Sequence, residues 1–268
     1  MIIIGEKINS ILKAVRPAIE AYDTETIQSL AKHQAQAGAA YLDVNAGMFH
    51  ADEPQRLAWL VKTVQAVEKT PLCIDSPSAA ALAAGLEAYS SNTAPLINSI
   101  TAEKDRFAAI LPLVLQYQAK VIALCMDDTG MPETSEERYA IAKRLIGMLT
   151  EAGMKQDDIY IDPLVRPVST GSHYGVAAIE TIRLVKTAYP EVHIACGLSN
   201  VSFGLPQRKL INQAFLISAM AAGMDGAILD PLDNKLMAFV AAAEAVLGVD
   251  EFCMEYIGKH REGLFEGI

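Results

Sequence analysis

Short apolar runs alternate along the chain with longer segments whose apolar positions recur at three- and four-residue spacing. The runs are Ile2–Gly5, Tyr41–Val44, Leu72–Ile74, Leu96–Ile97, Val121–Cys125, Ile159–Ile161, His193–Cys196 and Gly226–Leu229. Each is short and bounded by turn residues, the signature of a buried strand. Between them the spacing predicts helices, among them Thr24–Ala37, Gln55–Val67, Phe107–Tyr117, Ser135–Ala152, Ala177–Ala188 and Lys209–Ala222, with a last outer helix after Val249. Several ends are legible. Asp23 or Thr24 can cap the first, Ser135 can cap another with Glu137 nearby, and Gly38, Gly153 and Gly223 stand where a helix needs a left-handed residue to stop.

Alternation of strands and helices fits both a closed barrel and an open, doubly wound sheet. Two observations favour closure. The units number eight, and no G-x-G-x-x-G turn follows the first strand. A (β/α)8 barrel typically takes about 250 residues. The expectation is therefore an α/β chain folded as one (β/α)8 TIM barrel spanning 1–268, with no second sizeable domain.

Composition narrows the setting. Hydrophobic residues make up 51% and charged residues 20% of the chain, with no linker-like stretch, which suits a large buried core. The formal net charge of −10 disfavours a nucleic-acid partner, whose phosphates call for clustered Lys and Arg. Cys73, Cys125, Cys196 and Cys253 lie too far apart in sequence for a zinc or redox motif and read as reduced, cytoplasmic residues. The Met1–Ile4 run is too short for a signal-peptide core, and no apolar run is long enough to span a bilayer, so no membrane partner is expected.

The chemistry lies at the strand ends. In order, the apolar runs lead into Glu6 with Asn9, Asp43 with Asn45, Asp75 with Ser76, Asn98 with Ser99, Asp127 with Asp128, Asp162, Ser199 with Asn200, and Asp230. In a barrel these ends converge on one face, where active sites are built. Asp43 and Asn45 can also cap the loop that follows them, Asp127 and Asp128 fit a solvated loop before Gly130, and Asp230 can be a turn residue before Pro231. The ring contains no obvious nucleophile or Schiff-base lysine; Lys120 and His193 each begin a strand and belong at the opposite face. His33, His50, His173 and His260 are scattered, so only carboxylates are available to a metal, and metal dependence has no support. Carboxylates accept hydrogen bonds and amides do both, which suits a flat neutral heterocycle with several N–H donors, such as the edge of a reduced pterin.

These residues fall in motifs: Ile4-Gly5-Glu6-Lys7-Ile8-Asn9, Leu42-Asp43-Val44-Asn45, Cys73-Ile74-Asp75-Ser76, Ile97-Asn98-Ser99, Tyr160-Ile161-Asp162-Pro163-Leu164, Gly197-Leu198-Ser199-Asn200-Val201-Ser202 and Leu210-Ile211-Asn212. In this order, nearly end to end, the chain resembles the methyltetrahydrofolate:corrinoid protein methyltransferases, pterin-binding barrels related to dihydropteroate synthase and to the folate domain of cobalamin-dependent methionine synthase. The resemblance implies that Asp75, Asn98 and Asp162 hold the pterin edge, that Gly197 and Ser199 pass close to the ring, and that Asn200 faces N5 as the catalytic residue. It implies tetrahydrofolate as methyl donor or acceptor, and a homodimer. No D-x-H-x-x-G cobalamin motif is present, so by the same analogy the corrinoid arrives on a separate corrinoid-binding protein. The chain departs from the family at Phe203, where a polar residue is common, and over Gly204 to Arg208. Arg208 is either a partner for the anionic folate tail or a solvated loop residue. Two rivals remain: a dihydropteroate synthase-like enzyme, although Asp230-Pro231-Leu232-Asp233 replaces that family's Ser/Arg/His-rich ending, and a catalytically silent folate-binding protein.

Overall fold

Eight parallel strands pair in chain order, and the last pairs with the first to close a barrel. The computed structural model describes residues 1–267. In chain order the elements are β1 (Ile2–Asn9), α1 (Arg16–Glu20), α2 (Thr24–Gln36), β2 (Tyr41–Asn45), α3 (Glu53–Gln65), β3 (Leu72–Asp75), α4 (Ala79–Ala88), β4 (Leu96–Thr101) and α5 (Lys104–Gln116). They continue with β5 (Lys120–Leu124), α6 (Ser135–Glu151), β6 (Ile159–Asp162), α7 (Tyr174–Ala188), β7 (His193–Gly197), α8 (Arg208–Ala221), β8 (Gly226–Leu229), α9 (Asn234–Val246) and α10 (Met254–Arg261). The expected (β/α)8 barrel is the fold observed.

All eight strands lie where the apolar runs placed them, most to within a residue, but two reach four residues further. β1 continues to Asn9 and β4 to Thr101, because a strand inside a closed barrel keeps its ladder through polar residues. Asp23 does cap α2, accepting from the backbone N–H of Thr26. The cap of α6, however, is Thr134 and not Ser135: the Thr134 hydroxyl accepts from the Glu137 N–H, while Glu137 reaches back to the Thr134 N–H. Gly38, Gly153 and Gly223 all have positive φ just beyond their helices.

Side chains along each strand alternate between the barrel interior and the helix layer. The outward phase joins the helices in one large core. The inward phase makes a second, separate cluster: Ile4, Tyr41, Cys73, Leu96, Ile122, Tyr160 and Ala195 fill the barrel from wall to wall. This plug is a floor. Two residues further along each strand, on the same inward phase and nearer the C-terminal end, stand Glu6, Asp43, Asp75, Asn98, Leu124, Asp162 and Gly197. An apolar residue followed two positions later by a polar one is therefore how most of these strands build a dry floor with a polar chamber above it.

Candidate active site

Above the floor lies a cavity of about 370 Å³, open at the C-terminal face and within the usual range for small-molecule pockets. Its lining includes all six residues expected to form the site, Asp75, Asn98, Asp162, Gly197, Ser199 and Asn200. The register explains how three amide and carboxyl groups come level. Asn45 pairs with Asp75, and Asp75 with Asn98, across three adjacent strands, while Asp162 stands opposite Leu124.

Among the described residues no cation makes a direct ion pair with these carboxyls, although Arg106 acts on Asp75, and Lys7 and Arg208 on Glu6, from a distance. Asp75 Oδ2 accepts from Asn45 Nδ2 at 2.8 Å, and Asn45 is itself fixed by Ser10 Oγ and the Gly47 N–H. Asp162 Oδ1 accepts from the Leu164 N–H at 2.8 Å, Leu164 being held at a φ of 57° just after Pro163. Burial pushes the Asp75 carboxyl up to about 6 and that of Asp162 up to about 7, with these hydrogen bonds opposing the rise in both. Asp43 is only 1% exposed, and its Oδ1 has no hydrogen-bond partner among the described residues. Burial, then the neighbouring charge of Asp75, holds it well above the usual carboxylate range. Glu6 is pushed up to about 7 by burial and by Asp230. Buried carboxyls that keep their protons near neutrality are costly to ionise, and they are poised to accept hydrogen bonds from a ligand that brings donors.

Asn200 sits in the middle of a single turn of 3₁₀ helix, Leu198–Ser202, that leaves β7. Its exposed carboxamide folds back on Gly197: a Cβ built at residue 197 would stand 3.0 Å from Asn200 Nδ2. The glycine thus makes room for the amide as well as for a ring in the cavity. The turn is strapped from α8, where Arg208 donates to the Ser199 carbonyl at 2.6 Å and to Ser202 Oγ at 3.0 Å. The exposed guanidinium thereby braces the loop that carries Asn200; it bonds only neutral acceptors there and keeps its positive charge.

The remaining strand-end residues sort by phase. Ser76 and Ser99 are not among the residues that line the cavity: the Ser76 hydroxyl bonds Glu53, and the Ser99 backbone carbonyl accepts from Arg106. Asp127 accepts from Thr129 and Arg144, and Asp128 from the Lys104 N–H, so both stabilise loops as the sequence suggested. Asp230 pairs with Lys7 at 2.9 Å and also accepts from the Leu232 N–H, the turn role. Asp43 and Glu6 do line the cavity, together with Asn9 and the apolar Ile11, Leu12, Leu164, Val165 and Ile228. Sequence reasoning singled out no apolar wall, because apolar loop residues carry no signal of where they point. Among the described residues no group of three or more His, Cys, Asp or Glu is arranged to hold a metal ion.

Residues 16–230 match the profile of the family described as Pterin binding enzyme. The chain is 37% identical over 265 residues to the methylcorrinoid:tetrahydrofolate methyltransferase of Eubacterium limosum, covering 98% of this chain and 97% of that one. It is 34% identical over 242 residues to the methionine synthase of Mycobacterium tuberculosis, an alignment that takes in 85% of this chain and 20% of the much longer relative. Among solved structures, the 7,8-dihydropteroate synthase of Vibrio fischeri superposes with a TM-score of 0.68 at 14% identity, over 92% of this chain and 93% of the other. The dihydropteroate synthase of Yersinia pestis gives 0.65 at 16% identity, over 91% and 92%. At such identities the structural likeness speaks for the shared barrel alone.

Proposed function

Because the chain belongs to the family of pterin-binding enzymes, we propose that it is a methyltransferase moving a methyl group between N5 of tetrahydrofolate and the cobalt of a corrinoid carried by a separate protein. One observation carries this reading: a cavity sized for a bicyclic heterocycle has, among the described residues, ligand-accepting carboxyls with no direct ion pair at its deep end and an exposed carboxamide, Asn200, at its rim. The high identity over nearly the full length of a methylcorrinoid:tetrahydrofolate methyltransferase supports it.

In this reading Asp75, Asn98 and Asp162 receive the amino and ring N–H groups of the pterin. Hydrogen bonds to charged groups are worth about 1.5–3 kcal/mol each, enough for three to fix the ring's orientation. Gly197 and Ser199 lie along the ring, and Asn200 offers its amide to N5. The corrinoid supplies a cobalt centre that accepts or delivers the methyl. A corrin is far too large for a cavity of about 370 Å³, so it can only approach over the open mouth. Catalysis by this chain then consists of holding N5 in line with the incoming centre and stabilising the charge that changes there as the bond to carbon breaks or forms.

A dihydropteroate synthase would need free cations near the mouth for a diphosphate. Here Lys7 is paired with Asp230 and Lys209 with Asp233, which favours the methyl-transfer reading. We extend the reading to one functional unit over 1–268. The four free cysteines support a reducing, cytoplasmic setting. An exposed apolar strip at Val246, Val249, Phe252 and Met254 is in keeping with a homodimer, which sedimentation would check.

The direct test mixes the protein anaerobically with methylcobalamin and tetrahydrofolate, and separately with reduced cobalamin and methyltetrahydrofolate, and follows the corrinoid spectrum. Loss or gain of the methylcobalamin spectrum, with matching change in the folate, is the expected result. Silence in both directions, also with a corrinoid protein present and folate bound, would leave only a folate-binding protein.

A further inference from the structure

Glu6 stands in a partition. With Ser199 it lines both the central cavity and a second, smaller one of about 160 Å³, whose other walls include Lys209, Asn212, Asp230 and Asp233. This side chamber reaches the surface at Lys209, whose side chain is 77% exposed, and runs behind the turn that carries Asn200. Six of its nine lining residues are polar, and Asn212 Oδ1 has no partner among the described residues, as suits a chamber holding water.

Resting on the methyl-transfer reading, we propose that Glu6 is the proton store for N5, discharging into the central cavity and refilling from solvent through the side chamber. Three features set it apart from the other carboxyls. Asp43, Asp75 and Asp162 lie at the deep end and do not border the side chamber, and Asp75 and Asp162 are engaged by Asn45 and the Leu164 N–H. No hydrogen bond from a described residue holds the Glu6 carboxyl, and its second methylene gives it reach. The groups facing it are balanced: Asp230 from β8 and Asp43 from β2 favour its protonated form, Lys7 on β1 and Arg208 on α8 favour its ionised form, and Lys209 and Asp233 form an ion pair across the chamber. Burial adds to the first side and brings its pKa to about 7, so both forms are populated at neutral pH.

When N5 is demethylated, the proton passes from the Glu6 carboxyl, through water, to N5. The N5–CH₃ bond then breaks with its electron pair remaining on N5, which is left as a neutral N–H, while the methyl goes to the cobalt nucleophile. The Glu6 carboxylate recovers a proton from solvent. In the opposite direction the N5 lone pair bonds to the methyl carbon, and the proton on the resulting cationic nitrogen leaves to the Glu6 carboxylate.

Two measurements on the full chain test this. Wild-type demethylation of N5 is expected to slow as pH rises through about 7. Glu6→Gln should flatten that limb and lower the rate at pH 6 by about 10²-fold or more, the contribution of a general acid, while the folate Kd changes by less than about threefold. Glu6→Asp should restore part of the rate and the falling limb. Independently of turnover, calorimetry of tetrahydrofolate binding near pH 7 in buffers of different ionisation enthalpy should show the wild type taking up more protons than Glu6→Gln, because a neutral N5 accepts a hydrogen bond from the protonated carboxyl. A limb retained in Glu6→Gln, a Kd weakened as much as the rate, or equal proton counts would each overturn the assignment. A wild type that binds folate and transfers no methyl would instead remove the reading it rests on, with the proton counts still deciding whether Glu6 meets the ligand as an acid.

Discussion

The two ends of this barrel treat charge in opposite ways. At the bottom, beneath the apolar floor, the ionisable groups are matched. Lys120 lies between Asp157 and Asp158, and Lys186 donates to Asp225. His193 spans Asp225 and Asp157 at 2.9 and 3.2 Å while stacking on Tyr160. The bonds to Asp225 raise the His193 pKa, and although burial works against an ionised Asp225, its bonds from His193 and the Ile194 N–H prevail and lower its pKa. At the top, four carboxyls line one cavity, and all four have their pKa values raised by burial. Matched charges contribute to folding. Unmatched ones cost folding energy and make sense when something outside the chain is to complete them.

The largest effect expected on this contrast is at the rim. Asn200→Ala should lower methyl transfer by about 10²–10³-fold, the cost of removing one donor aimed at developing charge, with folate affinity nearly unchanged. Equal losses in rate and affinity would make Asn200 a binding residue only.

Next comes Asp162→Asn. Loss of a charged hydrogen bond worth about 1.5–3 kcal/mol should weaken pterin binding by roughly 10- to 100-fold. The same substitution should make the ligand-free protein more resistant to heat at pH 7, since the native carboxyl is harder to ionise than the unfolded one. With a folded pKa of about 7 against an ordinary value of 3.8, the native state holds a proton that the unfolded state has lost, so this group's contribution to stability falls as pH rises from 3.8 towards 7. Ligand donors favour the carboxylate, so the same site should bind pterin more tightly as pH rises through that range. A melting temperature lowered in the variant, or affinity unchanged, would show that the carboxyl is not the unmatched acceptor described here.

The smallest effect should come from the bottom. Asp225→Asn removes the carboxylate shared by His193 and Lys186, and these half-exposed groups suggest a stability loss of about 1–2 kcal/mol, well below that of a fully buried pair. Folate affinity should not move. A change in binding as large as that at Asp162 would mean that the floor does not insulate the two ends.

Much of this was legible in the amino-acid order. The eight apolar runs and the polar residues after them gave the barrel and its active face, and all six expected site residues line one cavity. The misses have local reasons. α4 and α9, which the spacing did not single out, carry little periodic contrast, since both are alanine-rich and largely apolar around their circumference. Thr134 and Ser135 are both competent caps, and only the backbone path selects the first. The bracing of the Asn200 turn by Arg208 was not legible, because its acceptors, Ser199 O and Ser202 Oγ, are set by how the chain turns after β7.

What the sequence determined by itself was the periodicity: which segments are strands, how many there are, and that acids and amides gather at their C-terminal ends. That follows from local propensity and the alternation of apolar and polar positions. Only the tertiary structure decided which of those polar residues face inward, which carboxyls find a partner and which do not. Register across neighbouring strands brings Asn45, Asp75 and Asn98 level, and closure of β8 on β1 sets Asp230 against Lys7 and beside Glu6. Whether a carboxylate is paired or stranded depends on groups distant in the chain, and the energy of a buried charge is fixed by those neighbours rather than by its own residue type.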